Sequence, residues 1–460
     1  MTLPASVLES LDTQKISYNV TRLASEKKQS ASPSAPSNCI VKSILVQDMQ
    51  SRMQVLIPAD RMLDLDAMLS EFGRSFNGVS SDDIKPLILK HNLNSLPAIP
   101  RWQGMPTIVD SSLLKHETLW LDAGDAEQLI EISRDNFEGV ITPQNVGTIS
   151  APVPNLRANT DNDEAQIHDS LQRFTQLRIQ QRLDETLELP PLPETAQRII
   201  RLRADPKSDI SDLSNIVEVD PSLAAQVVSW ASSPYYSAPG KIKSVHDAIV
   251  RVLGFDMVMN LALGLSLGKT LSNKAFVKGQ IENYWRGAVY TAAAVEGLVT
   301  SISREHRPGF GMAYLAGLLN NFGYLIMAEV FPPYFSNIDR MACANNHLPR
   351  AAIEQHLLGV TGSQIASWLF ADWNMPQEVV VALRHSNDSQ FDGDHCVYAH
   401  LIYLAQRMLA NAGFGESQGG AIPDELFKQL HLDRKIAEIT VANILNSSDD
   451  LDAIAEKMRN

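Results

Sequence analysis

The chain has 460 residues, of which 44% are hydrophobic and 20% charged, a composition typical of a folded protein with two or three domains. Its formal net charge of −14 argues against a broad nucleic-acid-binding surface, because phosphate contacts need clustered lysine and arginine, but a local basic groove stays open. The three cysteines form no CxxC pair, which favours a reducing compartment and gives no zinc signature. The first ten residues lack the basic and apolar regions of a signal peptide, so we expect a cytoplasmic protein.

Residues 1–140 mix strand and helix periodicities and predict an α+β domain with a mixed sheet. A helical pattern covers 63–72. Strand patterns cover 16–23, 39–46, 53–58, 107–110 and 117–121. Residues 24–37 contain five serines, two prolines and paired lysines, and this composition predicts a surface loop.

The composition changes to Pro, Asn, Thr and Gly over 141–163, which predicts a linker, and 164–187 predict a polar amphipathic helix. After Leu189 the strand patterns end, and short helical patterns separated by turns predict an all-α domain. The predicted organisation is therefore an α+β domain over 1–140, a linker and connecting helix over 141–186, a helical domain over 187–410 and a helical extension over 411–460.

The segment from Phe310 to Val330 is apolar on nearly every side and predicts one buried helix. Asn320 and Asn321 stand in its middle, where burial makes a polar group costly unless it has a partner. An amide cannot act as a general base or bind a hard cation tightly, so we expect both to hold structure. The two asparagines, Glu329 and several glycines favour a buried helix over a membrane span.

Three stretches of the second half carry a family resemblance: 189–200 (LPPLPETAQRII), 216–228 (IVEVDPSLAAQVV) and 245–254 (VHDAIVRVLG). Together and in this order they resemble the HDOD domain, a bacterial regulatory relative of the HD phosphohydrolases. The resemblance covers roughly 187–410. It implies a helical signalling or scaffold module that acts by binding a partner, which the sequence does not identify.

The resemblance also locates the positions where catalytic HD proteins carry metal ligands. These positions hold Gly287, Asn320, Asn321, Gly362, His385 and Gln406. Only His385 could coordinate a metal, and a divalent-metal site needs several imidazoles and carboxylates from different helices. We therefore predict that the domain has no metal, no cofactor and no phosphodiesterase activity.

Other residues of the helical half invite functional interpretations that we do not favour. His246-Asp247 spells the HD pair but falls at a predicted helix start, where a capped surface residue is the better interpretation. The spacings between His385, His395 and His400 do not keep one helical face, so we expect ordinary surface or packed histidines. Trp230 suits an exposed hot spot and core packing about equally well.

Four stretches of the first half, 40–46, 56–65, 106–110 and 121–125, resemble the YbaK-like aminoacyl-tRNA deacylase family, which edits misacylated tRNA. The resemblance implies that Lys42 is the functional lysine, with tRNA as partner; the alternative is a lysine that extends its stem to water from a strand edge. It also implies a substrate site with Ser95, Pro97 and Asp110. The family's G-x-x-x-P loop reads Leu93-Asn-Ser-Leu-Pro97 here, so the proline is retained and the glycine is replaced.

These features favour a non-catalytic regulatory protein that binds an unidentified partner protein. The alternative is a trans-acting aminoacyl-tRNA deacylase that uses Lys42. A third hypothesis places a nucleotide second messenger among Asn320, Asn321 and His385; it is the least favoured, because nothing Gly-rich or basic supports it.

Overall fold

A computed structural model of the chain describes residues 3–22, 36–125, 128–156, 160–180, 191–237, 240–268, 279–415 and 420–459. Most of the predicted surface loop over 24–37, residues 181–187 of the predicted connecting helix and Leu189 lie outside these ranges. The chain divides into two compact units: Met1–Asn155 with Ser336–His356, and Leu156–Phe335 with Leu357–Asn460. This division differs from the predicted boundaries, because a segment of the predicted helical domain falls within the first unit.

The first unit contains a mixed sheet. The strands of this unit are β1 (Asn19–Arg22), β2 (Ile40–Gln47), β3 (Arg52–Pro58), β4 (Arg61–Leu63), β5 (Asn77–Gly78), β6 (Thr107–Asp110), β7 (Thr118–Asp122), β8 (Gln128–Ser133), β9 (Val146–Gly147) and β10 (Ser150–Pro152). The sheet order is β1-β8-β7-β2-β3-β6-β9, β5 pairs with β2, and β4 and β10 form a separate ribbon. The β2–β7, β3–β6 and β6–β9 pairs are parallel.

Helices of the first unit cover the sheet. They are α1 (Ala5–Gln14), α2 (Leu65–Phe72), α3 (Ser81–Lys90) and α4 (Arg134–Glu138). Val7 and Leu11 of α1 are fully buried and join Trp102 and Phe137 in the core of this unit. Side-chain caps start three of these helices: Asp64 accepts from the first turn of α2, Ser80 from α3 and Ser133 from α4.

The described residues of the second unit form helices, turns and loops, and none of them is in a strand. Its helices are α5 (Asp163–Gln180), α6 (Glu194–Ala204), α7 (Ile210–Glu218), α8 (Pro221–Ala231), α9 (Val245–Ala248), α10 (Phe255–Gly268), α11 (Gln280–Ser301), α12 (Phe310–Leu319), α13 (Phe322–Val330), α16 (Gly362–Asp372), α17 (Gln377–Arg384), α18 (Cys396–Asn411), α19 (Asp424–Gln429), α20 (Arg434–Asn446) and α21 (Ser448–Arg459). Helices α14 (Pro332–Ala344) and α15 (Arg350–Leu358) have residues in both units. The predicted fold class, a mixed-sheet α+β domain followed by a helical domain, is confirmed.

The prediction of a linker over 141–163 is wrong in part. This stretch contains β9 and β10, and Ile149 between them is fully buried. Strands of two and three residues are too short to show an alternating pattern, which is why composition alone suggests a linker. The strand predicted over 16–23 is present as Asn19–Arg22, and Leu23 lies outside the described residues.

The apolar segment from Phe310 to Val330 is also not the single helix that its composition predicts. It consists of α12 and α13, which meet at Asn320 and Asn321. By length and composition alone these 21 residues could cross a membrane, but 78% of their most apolar stretch is buried inside the fold. Such burial is typical of a core helix in a soluble protein, as the sequence predicts.

Candidate functional sites

Lys42 lies in the interior of the sheet, since its strand β2 runs between β3 and β7. Its Nζ lies 2.6 Å from Asp122 Oδ2. The lysine side chain is 35% exposed and the aspartate side chain 7%. Strands β2 and β7 are parallel, and Val41 pairs with Leu121. The next residues along the two strands, Lys42 and Asp122, therefore lie side by side. Lys42 therefore does not lie on an edge strand, and its ammonium is held at a defined point. Its functional role stays a prediction.

Asp122 accepts two further hydrogen bonds beside the one from Lys42. Its Oδ1 accepts hydrogen bonds from Ser95 Oγ at 2.9 Å and from the Gly124 backbone N–H at 2.8 Å. Three donors on one carboxylate fix its orientation. The structure thus brings Ser95 to Lys42 through Asp122, a residue that the sequence reasoning missed although it lies within the 121–125 motif.

The loop from Leu93 to Pro97 packs against the end of β7. The backbone N–H groups of Asn94 and Ser95 both donate to Gly124 O, at 2.8 and 3.4 Å. Leu93, at the position of the family's glycine, is 6% exposed and belongs to the core of the unit. The amides that a bare glycine loop would offer to a substrate carbonyl are therefore used within the protein.

Pro97 is held at the other end of this loop. Its carbonyl accepts from Gln54 Nε2 at 3.0 Å, and the same Nε2 also contacts Ser43 Oγ at 3.0 Å. Gln54 is fully buried, and its Oε1 accepts from Thr107 Oγ1 at 3.0 Å. A saturated buried amide fixes the loop to β2, β3 and β6.

Asp110 does not join the Lys42 cluster. It lies in β6, which β3 separates from β2, and it is 1% exposed. One carboxylate oxygen accepts from the backbone and hydroxyl of Ser112, and the other accepts from the Ile149 N–H at 3.1 Å. The structure therefore uses Asp110 to cap the short helix Ser111–Lys115 and to fix the start of β10.

In the helical unit, the two asparagines have different environments. Asn320 is 7% exposed; its Oδ1 accepts from Gln406 Nε2 at 2.7 Å, and its Nδ2 donates to Gly317 O at 2.6 Å. Asn321 is exposed, so the expectation of two buried amides is wrong for this residue. Gly287 on α11 faces it, since a Cβ built there would lie 3.9 Å from Asn321 Nδ2.

Gly362 stands at a backbone contact between α13 and α16. A Cβ on Gly323 would lie 2.3 Å from the Gly362 carbonyl, and a Cβ on Gly362 would lie 3.1 Å from the carbonyl carbon of Gly323. The two helices approach this closely because neither residue has a side chain. Position 362 therefore has a packing reason to be glycine, and a histidine there would force the helices apart.

His385 ends α17, and its ring stacks on Phe391 with centroids 3.6 Å apart. Burial, with a further contribution from the charge of Arg384, lowers the pKa of His385. His400 is 3% exposed and burial lowers its pKa as well, whereas His395 is exposed. These are packed or surface histidines, as the sequence predicts.

The remaining positions do not supply the ligands that His385 lacks. Among the residues that the structure describes, no three His, Cys, Asp or Glu side chains come together as a metal site would require. The donor set around Asn320 consists of amides that satisfy one another, which does not suit a divalent cation. The prediction of a metal-free domain stays a prediction, open to elemental analysis.

Two further alternatives are decided by burial. Trp230 is 4% exposed and meets the Tyr314 ring edge-on at 6.3 Å, so core packing is correct. His246 is exposed on α9, and Ser244 caps this helix by accepting from the Asp247 N–H. The interpretation of His246 as a residue at a capped helix start is confirmed.

Comparison with known proteins gives two family matches. The HDOD domain model matches residues 189–389, and the aminoacyl-tRNA editing domain model matches residues 23–139. A solved structure of a candidate signal transduction protein from Marinobacter aquaeolei VT8 is 37% identical and has a TM-score of 0.86, with each chain covered over 100% of its length.

Two more distant relatives are similar to parts of the chain. An HDOD domain protein from Geobacter sulfurreducens is 20% identical over 59% of this chain and 93% of its own, with a TM-score of 0.47. An uncharacterised protein of Treponema pallidum (strain Nichols) is 21% identical over 273 residues, which are 59% of this chain. The match spans 52% of the length of that curated relative.

Proposed function

Because this chain belongs to the HDOD-domain proteins and carries an aminoacyl-tRNA editing domain in its first half, we propose that it is a regulatory protein of signal transduction. It acts without catalysis by the helical half, which binds a partner protein in the bacterial cytoplasm. The name of the Marinobacter aquaeolei relative, a candidate signal transduction protein, supports this proposal.

The single observation that carries the proposal is the closed amide network at Asn320. Gln406 and Gly317 satisfy both ends of the Asn320 amide, at 2.7 and 2.6 Å. Groups that saturate one another have little left to offer a metal, a phosphate or the base of a nucleotide second messenger. A protein surface is therefore the better candidate for the partner.

The test begins with full-length protein purified without a chelator. We expect no stoichiometric iron, manganese or zinc by elemental analysis and no hydrolysis of phosphodiester substrates. A cell lysate, passed with and without ribonuclease over a column that carries the tagged full-length protein, separates protein partners from RNA. One stoichiometric transition metal, together with phosphodiester turnover, would refute the proposal.

A second candidate function is trans-acting deacylation of aminoacyl-tRNA. It is favoured by the Lys42–Asp122–Ser95 cluster, in which a cation is held beside a hydroxyl at the end of β7. A held ammonium can stabilise the charge that develops on an ester oxygen during hydrolysis. The internal use of the Asn94 and Ser95 amides weakens this candidate, because it removes donors from the substrate loop.

The test for deacylation uses a panel of mischarged tRNAs. The Lys42→Ala variant should lose release of amino acid if the Lys42–Asp122–Ser95 cluster is catalytic. Lys90→Ala, which removes an exposed lysine of α3 in the same unit, should release amino acid at the wild-type rate. Release at background level by all three proteins would eliminate the second candidate.

A further inference from the structure

Residues 336–356 fall within the HDOD match but belong to the first compact unit. They comprise most of α14, the following turn and most of α15. Six of their side chains are at most 1% exposed: Ile338, Met341, Ala344, Asn345, Ala352 and Ile353. These side chains are therefore packed inside the fold.

Asn345 attaches this segment to β4. Its Oδ1 accepts from the Leu63 N–H at 2.7 Å, and its Nδ2 donates to the Leu63 carbonyl at 2.9 Å. The amide therefore pairs with both backbone groups of one residue, as a neighbouring strand would. Since Asn345 is 1% exposed, these bonds are shielded from water.

A second attachment is at Gly78 of β5. A Cβ on Gly78 would lie 2.4 Å from the backbone nitrogen of Ala344, so only glycine allows this approach. Gly78 pairs with Val46 of β2, the strand that carries Lys42. The segment is thus attached to β4 through Leu63 and to β5 through Gly78.

His347 lies at the end of the sheet where Lys42 lies. Its Nε2 contacts the carbonyl of Arg61 at 3.4 Å. Arg61 lies three residues after Pro58, the end of β3. Between them, the Ala59 N–H donates to the carbonyl of Ile40 at 2.8 Å, and Ile40 is two residues before Lys42 on β2. A carbonyl can only accept, so Nε2 carries the proton and the other ring nitrogen of the neutral imidazole keeps a lone pair.

We propose that residues 336–356 form one wall of the site made by Lys42, Asp122 and Ser95, and that His347 is a positioning residue of this site. This inference rests on the second candidate function, in which the site receives an aminoacyl ester. It adds that one wall of the site comes from the HDOD part of the chain.

The electrostatics of His347 agree with this arrangement. Burial lowers the pKa of His347 to about 4, the hydrogen bond to Arg61 opposes the shift, and the charge of Lys42 lowers the pKa further. The ring is therefore neutral near neutral pH. A protonated imidazole at this position would repel the ammonium and compete for the carboxylate of Asp122.

The test measures the coupling between the two residues and does not depend on activity. In full-length protein, ¹⁵N NMR follows the titration of His347 in wild type, in Lys42→Met and in the matched control Lys90→Met. Removing the neighbouring cation should raise the pKa of His347 by a few tenths of a unit or more, and Lys90→Met should leave it unchanged. His116, two residues before β7 and far from its Asp122 end, is the internal reference.

A second variant covers the case in which Lys42→Met does not fold. His347→Lys adds a cation, which favours the neutral amine of Lys42 and should increase its rate of reaction with acetic anhydride at neutral pH. His347→Gln places a neutral amide there and should leave that rate near wild type. If both the titration of His347 and the reactivity of Lys42 are insensitive to the other residue, the inference is overturned. Coupling without deacylation would instead retain the wall and reject only the second candidate function.

Discussion

Gln406 Nε2 donates to Asn320 Oδ1 at 2.7 Å, so that α18 is joined to the C-terminal end of α12. Asn320→Ala removes this bond and the one to Gly317 O. We expect the free energy of unfolding to fall by about 1–3 kcal/mol, because buried partners are left unsatisfied. The matched control is Asn321→Ala, an exposed neighbour that should change stability by less than about 0.5 kcal/mol. Urea denaturation measures both, and equal effects would show that the network contributes nothing.

The close approach of Gly323 and Gly362 predicts opposite effects for two glycine-to-alanine changes. Gly323→Ala puts a methyl group 2.3 Å from the backbone of Gly362 and should destabilise by about 1–3 kcal/mol through overpacking. Gly287→Ala meets only Asn321 Nδ2 at 3.9 Å and should stabilise α11 by about 0.5–1 kcal/mol, since alanine favours helix. Thermal unfolding should rank the proteins G287A, wild type, G323A. The reverse order would mean that the helices do not touch at this point.

Asp163 begins α5 and forms an ion pair with Arg384 in which each side chain is 8% exposed. Arg384 Nη2 lies 2.7 Å from Asp163 Oδ1, and Gln364 Nε2 donates to the same oxygen at 2.9 Å. Asp163→Asn leaves the guanidinium buried without its counter-charge and should cost about 3–5 kcal/mol. Asp161→Asn, an exposed aspartate two residues earlier, is the control and should be nearly neutral. A small loss for Asp163→Asn in chemical denaturation would indicate that water reaches the pair.

Glu296 of α11 predicts a pH dependence of stability. Burial raises its pKa to about 7 from 4.5, and the hydrogen bond from Tyr236 Oη at 3.3 Å only partly offsets this. Between these two values the unfolded chain loses the proton while the folded protein keeps it, so stability falls as pH rises from about 4.5 to 7. A shift of 7 − 4.5 = 2.5 units corresponds to a loss on the order of 3 kcal/mol.

The Glu296→Gln variant should remove this slope and be more stable than wild type at pH 8. Glu305→Gln, at an exposed glutamate of the same unit, should keep the wild-type slope. Unfolding in urea at several pH values between 4 and 8 makes the comparison. Parallel curves for wild type and Glu296→Gln would show that the carboxyl is not buried in solution.

The sequence predicts the parts of the fold that have regular patterns. Strands β2, β3, β6 and β7 appear close to their predicted bounds, because short runs rich in Val, Ile and Leu reveal them. Ribbon strands β4 and β10, with three residues each, leave no such pattern. The break between α12 and α13 contains no proline, and Asn321 at the N-cap of α13 makes no side-chain cap hydrogen bond, so only the residue type gives a weak signal of it.

The same distinction applies to the sites. Motif resemblance locates Lys42 and Ser95, but it does not reveal that Asp122 joins them, because that contact depends on parallel pairing between β2 and β7. Local sequence around His347 gives no signal for its approach to Arg61, 286 residues away. Asp110 was placed in the substrate site by its motif, whereas its hydrogen bonds make it a helix cap.

The pairing of Asn345 with Leu63 has a practical consequence for anyone who wishes to study the two halves apart. A fragment ending at Asn155 would leave the backbone N–H and carbonyl of Leu63 without their amide partner. A fragment beginning at the connecting helix would carry the Asn345 amide, which is 1% exposed in the full chain, without the Leu63 groups that it bonds. Both pieces should self-associate, and they should recover a monodisperse state only when mixed.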